Sequence, residues 1–334
     1  MQEPLLQKLE DLAGADGTLT YGEFVAAALY DPEHGYYSTA RNRVGKEADT
    51  DFYTASSLGP LFGRLLAETC VNLLTGQPPD MYTFVEIGAE PGGGVLQGVE
   101  HPFGGTTTLR LGDDLKVTGP AIVFANEWLD AQPFHRIIFR EGQWRELGLH
   151  VRDHQLEETE LDTLSPEAQA YLGKLPAQSA EGYRFDLPTG ASTALRNLLA
   201  QPWHGLFLTL DYGKPLAELL ETCPEGTARA YYRHQQTSDL LARPGEQDLT
   251  CHLCWDWLDD LLARHGFLDT AVLRQESLFM RHAQATLRAV TEATGNLQEK
   301  GRLKELLHPA HLGLKFQALH GSRPASVETP QSAL

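Results

Sequence analysis

Phe84-Val85-Glu86-Ile87-Gly88-Ala89-Glu90-Pro91-Gly92-Gly93-Gly94 is the stretch that decides the fold. An apolar strand runs into a glycine-rich turn, the place where an α/β sheet grips a nucleotide-like ligand. Glu86 lies two positions before the first glycine, where an acid at a strand end can receive hydroxyls or an ammonium group. The backbone amides that follow Gly88, at the start of an expected helix, have no intrahelical partner and can receive an anionic group. Glu90 stands where a close ligand contact favours no side chain. A glycine loop alone is weak evidence, because a tight strand-to-helix turn without a ligand accounts for it equally well.

Outward from this stretch, strands and helices alternate. Thr20-Tyr21-Gly22-Glu23 has capping-box spacing ahead of an apolar helix that Asp31-Pro32 stops, and Leu58 to Leu74 carries apolar residues at helical spacing. Thr106 to Leu111 reads as a strand, and Ala121-Ile122-Val123-Phe124-Ala125 as a fully buried one ending in Asn126-Glu127. Ile137 to Leu147 reads as a hairpin about Glu141-Gly142-Gln143, and residues 152–190 as an insertion with a helix starting at Ser165-Pro166. Leu206 to Leu210 is a further buried strand ending in Asp211-Tyr212-Gly213. The expected organisation is an N-terminal helical region over 1–75, an α/β core over 76–320 and a disordered tail over 321–334. Such a sheet is mostly parallel, with its site at the carboxyl ends of the strands. Glu86, Asn126-Glu127 and Asp211 are then expected to converge, with Asp130 one turn beyond Glu127.

Composition narrows the function classes. The chain has 334 residues, 42% hydrophobic and 22% charged, with a net charge of −18. That balance disfavours nucleic-acid partners, which select a basic face. No apolar run reaches the ~20 residues that span a bilayer, so membrane insertion is not expected. Four cysteines do not make a disulfide framework, and the N-terminus lacks the pattern of a secretory signal, so the expectation is a cytoplasmic protein. Cys251-His252-Leu253-Cys254 resembles a metal-ligand pair but has no second pair, and core packing is the better account.

Taken together, these segments resemble the MidA family, bacterial relatives of a mitochondrial complex I assembly factor. The resemblance rests on Ala28-Leu29-Tyr30-Asp31-Pro32-Glu33-His34-Gly35-Tyr36-Tyr37, Asp51-Phe52-Tyr53-Thr54-Ala55, Val85-Glu86-Ile87-Gly88-Ala89 and Ala125-Asn126-Glu127-Trp128-Leu129-Asp130. Asp211-Tyr212-Gly213, Gly226-Thr227-Ala228-Arg229 and Asp248-Leu249-Thr250 follow in family order. The family implies an α/β fold, a Rossmann-like class I methyltransferase core with an N-terminal helical region and an inserted segment. It also implies S-adenosylmethionine as methyl donor and a protein side chain, arginine, as acceptor, with a respiratory-complex subunit as partner. By the same resemblance Glu86, Gly88 and Gly92 would line the cofactor site. Asn126, Glu127, Asp130, Asp51 and Thr54 would be the catalytic residues that face the transferred methyl group and the substrate.

Two departures stand against the family pattern. Glu90 replaces the central glycine of the loop, where its side chain would crowd the cofactor and its charge would repel the cofactor's carboxylate. Only 34 positions separate Gly92 from Asn126, and one βαβ unit takes roughly 30 residues or more. The second-strand region is therefore shortened, and the second strand itself, whose terminal acid binds the ribose hydroxyls, is expected to be missing. Asp113 and Asp114 can take over that role, or they can cap a turn. Two functions follow: an S-adenosylmethionine-dependent methyltransferase, or a protein of that fold that has lost the cofactor and acts as a binding or assembly factor.

Overall fold

The computed structural model describes residues 2–38, 59–89, 93–309 and 311–325. Residues 1–57, 128–195 and 212–256 form one compact unit, and residues 58–127, 196–211 and 257–334 form a second. This corrects the expected division, because the N-terminal region does not stand apart up to residue 75. Its first helices share a unit with the segment expected as an insertion, and the helix Pro60–Leu73 belongs to the second unit. Burial rather than chain order decides this.

In the first unit, Thr20 caps the helix Tyr21–Tyr30 through the expected capping box: its hydroxyl oxygen accepts the Glu23 amide at 3.1 Å, and its own amide donates to Glu23 at 2.8 Å. That helix and Gln2–Ala13 bury Leu5, Leu9, Phe24 and Leu29 against Phe134, Ile138 and Leu149. Ile138 and Leu149 come from an antiparallel sheet that includes, in order, Thr18–Thr20, Gln143–Arg152, His135–Arg140 and Arg184–Leu187, and Phe134 directly precedes its third strand. The expected hairpin is present. Glu141 and Gly142, at φ 51° and 77°, supply the two left-handed positions that suit a tight turn between twisted strands. A smaller sheet pairs Arg229–Tyr232 with Gln235–Thr237 on one side and Asp248–Thr250 on the other.

The second unit holds a six-stranded sheet in the order Leu268–Arg274, Gln317–Arg323, Trp203–Asp211, Gly119–Asn126, Thr83–Ile87, Gly105–Leu109. The last four run parallel, whereas Gln317–Arg323 is antiparallel to both of its neighbours. Ala121 to Ala125 are at most 1% exposed, as expected of a continuous apolar strand in the middle of such a sheet. Pro60 begins the helix Pro60–Leu73, which buries Leu61, Phe62, Leu65 and Leu66. Gly63 lets that helix approach the loop after Thr83–Ile87, because a Cβ there would lie 2.2 Å from the Val95 carbonyl oxygen.

Two expectations about this sheet are corrected. The strand Gly105–Leu109 pairs in parallel with Thr83–Ile87, residue for residue, so a second strand is retained. The shortening falls elsewhere: no helix lies in the described residues 93–104, and no strand flanks Gly105–Leu109 on its outer side among the described residues. The disordered tail expected from Gly321 does not begin there either. Gly321, Ser322 and Arg323 pair with Phe207, Leu206 and Gly205, and Arg323 donates to the carbonyls of Leu199 and Gln201 at 2.6 and 3.1 Å. Gln317 to Arg323 contains no β-branched residue. Its strand is imposed by its neighbours rather than by propensity.

Candidate functional site

The parallel strands Thr83–Ile87, Gly119–Asn126 and Trp203–Asp211 bring Glu86, Asn126 and Asp211 to one edge of the sheet. Chain order reverses across Thr83–Ile87, with the next strand of the sequence on one side and the one after it on the other. Such a switch point is where open α/β sheets take their ligands.

Glu86 is 6% exposed, and its Oε2 accepts the Val95 amide at 2.7 Å. Burial raises its pKa to about 7, opposed by the Val95 hydrogen bond and by the positive charge of Arg110. It borders a cleft of about 310 Å³ whose walls include Phe84, Gly94, Gln97, Thr108 and Arg110. Gly94 keeps the cleft's inner wall low, because a Cβ there would meet Glu86 Oε2 and Thr108 Cγ2 at 2.6 Å.

The amides beyond Glu86 differ from expectation. Gly88 adopts φ 72°, which glycine tolerates, but no helix follows it in the described residues. The Gly88 and Ala89 amides both donate to the Leu109 carbonyl oxygen, at 2.9 and 3.2 Å. These two amides are taken by the neighbouring strand's own backbone, and residues 90–92 of the expected cradle lie outside the described residues. Asp113 resolves likewise: its carboxylate accepts the Arg110 amide at 2.8 Å and caps the turn after Gly105–Leu109. Glu90 and Gly92 lie outside the described residues, as do Asp51 and Thr54.

Asn126 and Glu127 end the central strand together. The Asn126 Nδ2 group donates to Glu127 Oε1 at 2.9 Å, while Asn126 Oδ1 is buried with no hydrogen-bond partner among the described residues. Glu127 holds φ 50°, a left-handed conformation uncommon for a residue with a side chain, and its amide donates to Leu210. Strain and an unsatisfied buried acceptor at a strand end are costs that a structure carries where a ligand uses them. Asp130 belongs to the other unit, 3% exposed, with its backbone carbonyl accepting the Cys251 amide at 3.1 Å. Arg110 was missed from the sequence. Its position at the end of a strand beside the glycine loop was the available signal.

The first unit carries its own buried polar cluster. Asp186, 4% exposed, accepts Arg136 Nε at 2.7 Å and the Thr227 and Ala228 amides at 2.5 and 2.7 Å. The His252 amide donates to the Thr227 hydroxyl at 3.2 Å, and its Nδ1 is buried without a partner among the described residues. Burial, then the charges of Lys214 and Arg229, lower the His252 pKa to about 4. Cys251 and Cys254 are packed in the core at 1% and 0% exposure.

Residues 109–272 match the model of a family described as S-adenosyl-L-methionine-dependent methyltransferases. "Protein arginine methyltransferase NDUFAF7 homolog, mitochondrial" of Drosophila melanogaster is 23% identical, over 91% of this chain and 81% of that protein. The protein arginine methyltransferase NDUFAF7 of Mus musculus, also named as mitochondrial, is 22% identical over 99% and 90%. A Burkholderia thailandensis protein crystallised with S-adenosyl-homocysteine superposes with a TM-score of 0.82 at 23% identity, over 96% of this chain and 92% of that one. The fold is thus the α/β methyltransferase fold. The expected cytoplasmic location is corrected on the same evidence, because these curated relatives are mitochondrial proteins. Among the described residues no helix is long and apolar enough to cross a membrane.

Proposed function

We propose that this chain, which belongs to the MidA-like family of methyltransferase-fold proteins, transfers a methyl group from S-adenosylmethionine to a protein side chain, arginine being the acceptor. The observation that carries this reading is the Asn126 side chain, whose Oδ1 is a buried acceptor without a partner among the described residues, at the end of the central strand. Beside it stands the Glu127 carboxylate, held by Asn126 Nδ2 at 2.9 Å. An amide oxygen and a carboxylate side by side suit a guanidinium, whose N–H groups form a planar fork. The arginine methyltransferase names of the curated relatives support the same acceptor.

The residues present fit the cationic parts of the cofactor. Glu86 offers a buried carboxyl at the strand end beside a cleft of about 310 Å³. When bound, S-adenosylmethionine supplies an electrophilic methyl group on a sulfonium. The protein's contribution is to hold and orient. Asn126 Oδ1 and Glu127 accept the guanidinium N–H groups and fix one nitrogen toward the donor, while Glu86 accepts from an ammonium. The chain's net charge of −18 favours the approach of cationic ligands.

Calorimetric titration with S-adenosylmethionine and S-adenosylhomocysteine tests the reading, followed by methylation of arginine-containing peptides. Saturable binding with a thermal shift is expected. Absence of both at millimolar ligand would overturn it and leave a methyltransferase fold that works as a binding or assembly factor.

A further inference from the structure

We propose that Arg110 holds the carboxylate of the cofactor's amino-acid end, in the cleft that Glu86 also lines, with Glu86 taking the ammonium; this rests on the functional reading above. The Gly88 and Ala89 amides are not available to that carboxylate, since both donate to the Leu109 carbonyl oxygen. The cleft therefore needs another source of positive charge. Arg110 is the next residue along the same strand end, exposed, and among the residues that line the cleft. Its guanidinium makes no ion pair among the described residues.

The nearby acid does not neutralise it. Asp113, the candidate for ribose hydroxyls, instead turns its carboxylate to the Arg110 backbone amide at 2.8 Å. The same hydrogen bond fixes the backbone from which the Arg110 side chain departs. Glu86, which lines the same cleft, is anchored by Val95 and lies within electrostatic reach of Arg110 without an ion pair to it. One cleft is thus lined by a buried carboxyl and by an arginine without an ion pair among the described residues, an acceptor and a cation for one ligand. A zwitterionic α-amino-acid group matches that pair, and a guanidinium can take a carboxylate through two parallel hydrogen bonds. The Thr106, Thr107 and Thr108 side chains add a polar wall, and Phe84 and Leu96 an apolar one.

The test is calorimetric titration of the whole chain and of Arg110→Ala and Arg110→Lys with three ligands. S-adenosylhomocysteine carries the amino-acid end, 5′-methylthioadenosine lacks it, and methionine is that end with its thioether alone. Arg110→Ala is expected to weaken S-adenosylhomocysteine on the order of 10- to 100-fold, to abolish any methionine binding and to leave 5′-methylthioadenosine unchanged. Arg110→Lys recovers part of the loss, since lysine keeps the charge without the fork. Unaltered S-adenosylhomocysteine affinity in Arg110→Ala, or an equal loss for 5′-methylthioadenosine, overturns this assignment while the functional reading stands. If the unaltered chain binds none of the three, the functional reading fails and this assignment fails with it.

Discussion

Glu86 accepts the Val95 amide at 2.7 Å, tying the strand end to the far side of the glycine loop across nine residues. The bond holds a buried carboxyl whose pKa is raised by desolvation from 4.5 to about 7. Between those values the folded chain binds more protons than the unfolded one, so this group's contribution to stability is full below pH 4.5 and is lost as pH rises through 7. Glu86→Gln keeps an acceptor for Val95 and removes the charge. Its stability should match the parent at pH 5 and exceed it at pH 8, by at most on the order of 3 kcal/mol. Urea unfolding at the two pH values measures this, and parallel pH profiles would refute it.

Much of this site was legible because its residues follow from period and position. Val85 and Ala121 to Ala125 read as buried parallel strands, and strands of that kind deliver Glu86 and Asn126 to the same edge. What was not legible depended on backbone partners far along the chain. Nothing in Gly88-Ala89 announces that Leu109, some twenty residues later, supplies an acceptor for both amides. Gln317 to Arg323 was hidden for the related reason that its pairing with Trp203–Asp211 comes from the sheet and not from its own residues. The division into two units was hidden because segments distant in sequence pack into one core, as Leu5 does with Phe134 and Leu249.

Asp186 clamps the turn at Gly226 to Ala228 to the antiparallel sheet by receiving Arg136 and two amides. Asp186→Asn leaves the buried guanidinium without its counter-charge, and a broken buried pair of this kind costs about 3–5 kcal/mol. A lowered denaturation midpoint with an unchanged far-UV spectrum is expected. A loss under about 1 kcal/mol would mean that Arg136 finds enough compensation in Glu158, which lies 3.4 Å away.

His252 gives the acid side of the stability profile. Its folded pKa of about 4 lies below the ordinary 6.5, because burial and the charges of Lys214 and Arg229 disfavour the imidazolium. From pH 6.5 down to 4 the unfolded chain takes up the proton and the folded one does not, so stability falls as pH falls. His320, also lowered to about 4 by burial, adds to the same slope. His252→Leu removes one titrating group at a site where Nδ1 has no hydrogen bond to lose. The slope between pH 6.5 and 4 should flatten by up to about 3 kcal/mol across the window. Thermal midpoints at half-unit pH steps test it, and an unchanged slope would assign the acid sensitivity elsewhere.

Asn126 separates stability from function most sharply. A buried acceptor without a partner costs about 1–3 kcal/mol, and Asn126 Oδ1 is such an acceptor. Asn126→Ala removes that cost along with one hydrogen bond to Glu127, given at 2.9 Å. The folded state should therefore keep its stability to within about 1 kcal/mol. A residue retained for folding would not behave so; one retained to meet a substrate N–H would, with stability traded for activity. Methyl transfer to an arginine-containing peptide is expected to drop by at least about 100-fold, in line with loss of a preorganised polar contact. Affinity for S-adenosylhomocysteine should stay near the parent value, because Asn126 is assigned to the acceptor and not to the donor. Unchanged turnover in Asn126→Ala, measured beside its denaturation midpoint, would remove Asn126 from the acceptor site and leave Glu127 to hold the guanidinium alone.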